Sequence, residues 1–237
     1  DKTVDANRSE TYITARIDAN LSTRFRLFVR AAGHKKFNGA RGVGGKRCYL
    51  GQGERKDLGG DFVFGSTYQV TNRMLIKTTL SMNAFYNDIY PLHKMPQHVF
   101  PSAIIGPATN AEQWWKEQNY VVRTDFSLFL PDWMGEHDIK WGVEVYRPRF
   151  YGDFSGNKYG SYYFSEDPTD FLDPSTYPPP DTYSQGMGEG YYDVRVFALG
   201  AYIQDDWSIS DRFTLNLGLR WDLETMNDEL GPRRSPY

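Results

Sequence analysis

Phe213-Thr-Leu-Asn-Leu-Gly-Leu-Arg-Trp221 alternates without a break. Phe213, Leu215, Leu217, Leu219 and Trp221 fall on one side of an extended chain, and Thr214, Asn216, Gly218 and Arg220 on the other. A period of two is the repeat of a strand with one apolar and one polar face. The apolar side is aliphatic in the middle and aromatic at both ends. A strand that crosses a bilayer needs this order, with aliphatic side chains in the hydrocarbon and amphipathic rings at the two headgroup levels.

Working back from this stretch, the same alternation recurs often enough to draw eight strands. In the seventh, Phe197, Leu199, Ala201, Ile203 and Trp207 oppose Tyr202, Gln204 and Asp206. In the sixth, Ile139, Trp141, Val143 and Val145 oppose Asp138, Lys140, Glu144 and Tyr146. The fifth sets Tyr120, Val122, Phe126, Leu128 and Leu130 against Arg123, Asp125 and Ser127. The fourth and third carry Met74, Ile76, Leu80 and Met82, and Phe62, Phe64, Tyr68 and Val70. In the second and first, Phe25, Leu27, Val29 and Ala31 turn back at Ser22-Thr23 onto Ile13, Ala15, Ile17, Ala19 and Leu21, with Arg16 and Asp18 on the opposite side. Parity therefore assigns Phe197, Leu199, Ile203, Trp207 and the odd-numbered residues 213–221 to lipid. It assigns Arg16, Asp18, Lys140, Glu144, Gln204, Asp206, Asn216 and Arg220 to a watery lumen. Asp205 breaks the rule by falling on the apolar side, where a place near the membrane rim or a local bulge is expected to accommodate it.

Connections alternate in length. Short turns follow the odd-numbered strands, and long segments, at residues 32–60, 87–118 and 147–193, follow the second, fourth and sixth. Outer-membrane barrels have this asymmetry, with short periplasmic turns and long extracellular loops. A soluble β-sandwich also alternates, but it explains neither this asymmetry nor the aromatic strand ends.

Composition agrees. A net charge of -3 and a pI near 5.8 give no sign of nucleic-acid binding. Mean hydropathy is -0.62, and no apolar run approaches the ~20 residues of a membrane helix. That excludes a helical membrane protein and leaves a barrel open, because barrel strands are only half apolar. The single Cys48 forms no internal disulfide.

Three segments resemble hairpins of the TonB-dependent outer-membrane receptors. The sharpest is Ala201-Tyr-Ile-Gln-Asp-Asp-Trp-Ser-Ile-Ser-Asp-Arg-Phe-Thr-Leu-Asn-Leu-Gly-Leu-Arg-Trp-Asp222. Gly135-Glu-His-Asp-Ile-Lys-Trp-Gly-Val-Glu144 and Arg16-Ile-Asp-Ala-Asn-Leu-Ser-Thr-Arg-Phe-Arg-Leu-Phe28 are similar to two others and point to the large, Oar-like branch. The resemblance implies an all-β antiparallel barrel of roughly 22 strands with a plugged lumen, of which this chain supplies about eight. It also implies active transport of a large ligand, energised by TonB through an N-terminal region, with outer-membrane lipid, lipopolysaccharide, a plug and the remaining strands as partners. Signal peptide, TonB box, plug and a last strand with a terminal aromatic are not found in the sequence; Tyr237 follows Arg-Arg-Ser-Pro and ends no alternating run. Asp1 opens a chain without an apolar leader, which reads as a processed or partial product. A passive porin or adhesin-like barrel and a soluble binding module are the other readings.

Chemistry is sparse. Gly39-Ala-Arg-Gly-Val-Gly-Gly-Lys46 fails as a phosphate loop, because Ala40 replaces the first glycine and Arg47 the magnesium-binding hydroxyl. His93 and His98 match no common zinc spacing, and His34 and His137 have no evident partner. The first long loop is basic, with Lys35, Lys36, Arg41, Lys46 and Arg47 as candidate contacts for an anionic ligand or lipopolysaccharide. The third is acidic and aromatic, with Tyr162, Tyr163, Phe164, Asp167, Asp170 and Tyr177 as candidates for ligand contact or for Ca2+. No nucleophile, base and orienting group converge, so no enzyme and no cofactor are expected.

Overall fold

A computed structural model describes residues 7–227. Residues 1–6 and 228–237, among them Tyr237, lie outside the described residues. The chain is almost wholly extended. Twelve strands follow in order: β1 (Arg8–Asn20), β2 (Phe25–Arg41), β3 (Gly53–Thr71), β4 (Met74–Pro91), β5 (Gln97–Val99), β6 (Ile104–Ile105), β7 (Gln113–Leu130), β8 (Glu136–Asp153), β9 (Ser161–Tyr163), β10 (Thr182–Ser184), β11 (Tyr191–Ser210) and β12 (Phe213–Asn227). Eight of them form one antiparallel sheet in the order β1-β2-β3-β4-β7-β8-β11-β12. The other four form a small separate sheet, β10-β9-β5-β6.

The eight long strands and their short turns fall where hydrophobic alternation places them. Their lengths do not. β2, β4 and β8 run on to Arg41, Pro91 and Asp153, and β3, β7 and β11 start at Gly53, Gln113 and Tyr191. The loops proper are therefore residues 42–52, 92–112 and 154–190, shorter than expected. Lys35, Lys36 and Arg41 are strand residues. The added segments mix polar and aromatic residues on both faces, so no hydrophobic period marks them. Ladder hydrogen bonding to neighbours on both sides holds them instead.

Directly opposed residues of antiparallel strands share a face, so the register tests the parity across the whole sheet. One row reads Tyr68, Ile76, Phe126, Trp141, Ile203, Leu219; another reads Phe62, Met82, Tyr120, Arg147. The opposite face carries Asp18, Phe28, Gly65, Thr79, Arg123, Glu144, Gly200, Asp222. Thus one face is mainly apolar in its middle, broken by Ser66, Thr78 and Thr124, and the other is mainly polar, with Phe28 among its charged rows. Few apolar side chains are buried: Leu219 is 73% exposed and Ile13 72%.

Asp205 resolves without a bulge. It stays in register between Ile139 and Leu217, on the apolar face, and His137 Nδ1 lies 2.7 Å from its carboxylate. His137 is 4% exposed and stacks on Trp207 at 5.1 Å, with the Trp133 ring tilted against it at the same distance. Its Nε2 reaches the Trp133 carbonyl at 2.9 Å, and Trp207 Nε1 donates to the Met134 carbonyl. Two indoles thus shield a polar pair that ties the 131–135 turn to β11. The His34 ring stacks on Tyr12 at 5.8 Å and lies tilted against Phe85 at 6.0 Å.

Candidate functional site

The polar face is built from a short repeated unit that the sequence reading passed over. Arg16-x-Asp18, Arg55-x-Asp57, Arg123-x-Asp125 and Arg220-x-Asp222 sit on four different strands. Residues two apart in a strand point the same way about 7 Å apart, a gap that an arginine spans. Arg16 and Arg220 each make two hydrogen bonds to their aspartate, at 2.8 and 2.7 Å and at 2.9 and 2.6 Å. Arg123 Nε donates to both oxygens of Asp125, and Glu144 lies 3.8 Å from the same guanidinium. Arg30–Asp61 at 2.7 Å and Lys140 between Asp138 and Asp206 extend the pattern. Solvated pairs of this kind add little stability. Their effect is to leave the wall polar and locally neutral. Gly142 has a direct part in it. A Cβ there would meet the Tyr202 ring at 2.6 Å, and its absence lets Tyr202 cross β8 and donate to Asp125 at 2.8 Å.

At the far end of the strands the three loops are one body. Between the first and second loops the Cys48 N–H donates to the Ile104 carbonyl and the Ile104 N–H to the Lys46 carbonyl, and Lys46 Nζ donates to the Pro101 carbonyl at 2.5 Å. Arg47 reaches the Gly106 carbonyl at 3.4 Å, and burial lowers its pKa. The second and third loops join through the parallel pair β5 and β9, through Ser102 N–H to Asp167 at 3.0 Å, and through Glu112, which takes Lys94, Lys158 and Tyr159. The hydroxyl of Tyr159 and its neighbours keep the Glu112 carboxyl below its usual range.

An aromatic cluster forms the centre of this lobe. Phe100 stacks on Phe164 at 4.3 Å and meets Tyr177 and Phe171 edge-on. His98 lies flat against Tyr162 at 5.4 Å. Of the aromatic candidates in the third loop, Tyr162, Phe164 and Tyr177 thus hold the lobe together, and Tyr163 faces outward. Asp170 caps the Leu172 N–H. Lys46 and Arg47 are staples between loops, and Lys36 stands near Glu10 and Tyr12. Among the described residues, no three His, Cys, Asp or Glu side chains form a metal cage.

His98 gives the lobe a pH dependence. Its Nδ1 is buried without a hydrogen-bond partner, and burial lowers its pKa from the ordinary 6.5, a Pro96 carbonyl opposing this only in part. The unfolded ring therefore binds its proton more readily than the folded one. The stabilisation is complete above about 6.5 and declines as pH falls below it. Proteolysis of residues 92–112 is expected to be faster at about pH 5 than at about pH 7.5, and His98→Phe to abolish the difference. An unchanged difference in that variant excludes His98 as the cause.

A family model described as the outer membrane beta barrel domain matches residues 2–234. The chain belongs to this family. It is a protein of the bacterial outer membrane. Among curated proteins none matches it in sequence. Solved structures similar to this barrel domain include the outer membrane transporter YddB of Escherichia coli, with a TM-score of 0.61, 12% identity, and coverage of 89% of this chain and 26% of that one. The E. coli ferric-catecholate import receptor Fiu gives 0.58 and 14%, over 92% of this chain and 34% of that one. The ferripyoverdine receptor of Pseudomonas aeruginosa gives 0.61 and 14%, over 92% and 31%. Identities this low establish a shared fold. The barrel domain spans about a quarter to a third of the length of these proteins.

Proposed function

We propose that this barrel domain is part of the wall of a TonB-dependent transporter that carries a large ligand actively across the outer membrane. The observation that carries the reading is the pair of open edges. β1 bonds only β2, and β12 only β11, among the described residues. A small barrel closes on itself, whereas a slice of a wide one needs neighbours on both sides, and a barrel of roughly 22 strands is plugged. On this reading a plug and further strands complete the lumen, and TonB acts through a region outside residues 1–237. The neutralised polar face suits a wall packed against another polar protein surface, and the lobe meets ligand from outside. The apolar face, with Phe197, Leu199, Ile203, Trp207 and the odd residues of β12, meets lipid.

Planar-bilayer conductance of the purified parent protein tests this. A plugged transporter is silent until urea loosens the plug; steady open channels without urea reassign the domain to a passive porin. Sidedness has its own test. An epitope beside Met187, which is 92% exposed in the third loop, is expected to bind antibody on intact cells. Binding only after the outer membrane is broken reverses the topology.

A further inference from the structure

A cationic depression interrupts the apolar face just above its aliphatic band. Its cause is Pro148. Proline has no N–H to give the ladder, and the β8–β11 pairing skips from Arg149↔Arg195 to Tyr146↔Ala198. Arg147 and Pro148 are thus unbridged to Val196 and Phe197, and the Phe197 carbonyl accepts from Thr225 instead. Beside this gap lies a depression of ≈ 470 Å³ lined by Gln118, Tyr120, Arg147, Pro148, Arg149 and Arg195. A second depression of ≈ 280 Å³, with Gly60 and Ala84 in its floor and Lys116 at its side, meets the first at Gln118.

The register fixes the depth. Val122, Val145, Leu199 and Leu223 form one row of the apolar face. Tyr120 and Arg147 lie one rung further out, and Gln118, Arg149 and Arg195 one rung beyond that. Each rung is about 7 Å along the strand. The cations therefore begin where the aliphatic side chains end. Asp193 holds Arg149 through two hydrogen bonds, at 2.8 and 2.6 Å, and Arg195 at 3.0 Å. Arg147 is exposed, and no carboxylate of the described residues lies within ion-pair distance of it or of Lys116. The Tyr151 ring lies 4.3 Å from the Arg149 guanidinium and 5.9 Å from Lys116 Nζ, and Asp193 ties Arg149 to Arg195.

The geometry points to a binding site for a phosphorylated glycolipid of the outer leaflet, its phosphates on Arg147 and, two rungs further out, on Lys116, and its acyl chains along Val122, Val145 and Leu199. Uncompensated cations above an aliphatic band fit an anionic amphiphile. A free anion has no use for the band, and a neutral lipid none for the cations. The Tyr120 ring and the Gln118 amide offer a stacking face and hydrogen bonds that suit a sugar. The basic residues singled out in the sequence are different ones: Lys46 and Arg47 are engaged within the loop lobe. The site rests on the lipid-facing reading of the apolar face and on the extracellular placement of the long loops, and is independent of transport and of TonB.

The test uses the parent outer-membrane protein in detergent, with bisphosphorylated lipid A as probe and native mass spectrometry or a fluorescent lipid as readout. Lipid A is expected to bind and its dephosphorylated form to bind much more weakly. Each cation contributes about fivefold near such a headgroup, so Lys116→Gln/Arg147→Gln is expected to weaken binding about 25-fold. Lys77→Gln, the same charge change on the polar face of β4, leaves it unaltered. Equal affinity of the double variant and the parent overturns the site, as does equal binding of dephosphorylated lipid. Displacement by inorganic phosphate at concentrations equal to the lipid assigns the site to a free anion and overturns the lipid reading. A photo-crosslinker at Val143 separates the two levels of the argument. Lipid captured there without headgroup discrimination at Arg147 removes the site and keeps the lipid-facing wall, whereas no lipid captured there removes both.

Discussion

Arginine in place of Val143 is expected to destabilise the barrel by about 2–4 kcal/mol in a bilayer, and arginine in place of Thr79 by less than about 1 kcal/mol. Both positions lie in the middle of the span. Val143 is in register with Thr124 and Ala201 on the apolar face, and Thr79 with Gly65 and Arg123 on the polar one. A guanidinium at Val143 enters hydrocarbon with no partner; at Thr79 it joins a wall that already holds Arg123, Asp125 and Glu144. Leu217, at the centre of the stretch that first reveals the fold, is a poorer probe. Asp205 lies directly opposite it, so an arginine there acquires a carboxylate partner and the cost shrinks. The measurement is the folded fraction of each variant of the parent protein in liposomes, read from heat-modifiable migration across a urea series. Equal tolerance at Val143 and Thr79 refutes the assignment of the faces.

That contrast marks what the sequence makes legible. In the middle of each strand hydrocarbon imposes period two, so Phe213 to Trp221 and its seven counterparts stand out and the turns at Ser22 and Asp211 follow from them. Beyond the bilayer the constraint lapses. His34 to Arg41 and Arg147 to Asp153 stay in the sheet through ladder bonds, which carry no hydropathy signature. The small sheet of β5, β6, β9 and β10 is invisible for a related reason. Its strands are two or three residues long, and its central pair joins Gln97–Val99 of one loop to Ser161–Tyr163 of another. Charge and aromatic content mark the loop candidates but do not tell a lobe's core from its surface: Phe164 and Tyr177 are core, and Arg47 is a staple. The Arg-x-Asp unit was readable, since two residues of spacing on a strand already imply contact. The cationic depression was not, because only the register of three strands sets Lys116, Arg195 and Arg147 on successive rungs of one face. Pro148 was its one local sign.

The second large effect concerns the open edges. Residues 1–237 alone are expected not to form a stable, closed, monomeric barrel. β1 and β12 each present one row of backbone N–H and C=O groups to no strand among the described residues, and hydrocarbon cannot satisfy such groups, each costing several kcal/mol when left unpaired. Both edges also end on the side of the long loops, since the short turns at 21–24 and 211–212 lie at the other ends of β1 and β12. Closing the eight strands on themselves would bring β1 beside β12 in antiparallel order, so strand direction alone does not forbid it. What opposes it is the interior. An eight-stranded barrel has room only for its own side chains, and this polar face already holds Arg16, Phe28, Arg30, Arg123, Tyr202 and Arg220 together with their carboxylates. Those groups are hydrated here, with Arg16 and Arg220 more than half exposed. Closure strips that water from charges worth little as pairs, which costs more than one ladder returns. The isolated segment should therefore aggregate through its edges or stay unfolded in detergent. Size-exclusion chromatography, heat-modifiable migration and amide exchange together decide the matter. A monodisperse monomer with protected amides along both Arg8–Asn20 and Phe213–Asn227 defeats the prediction, and with it the argument that further strands flank this sheet.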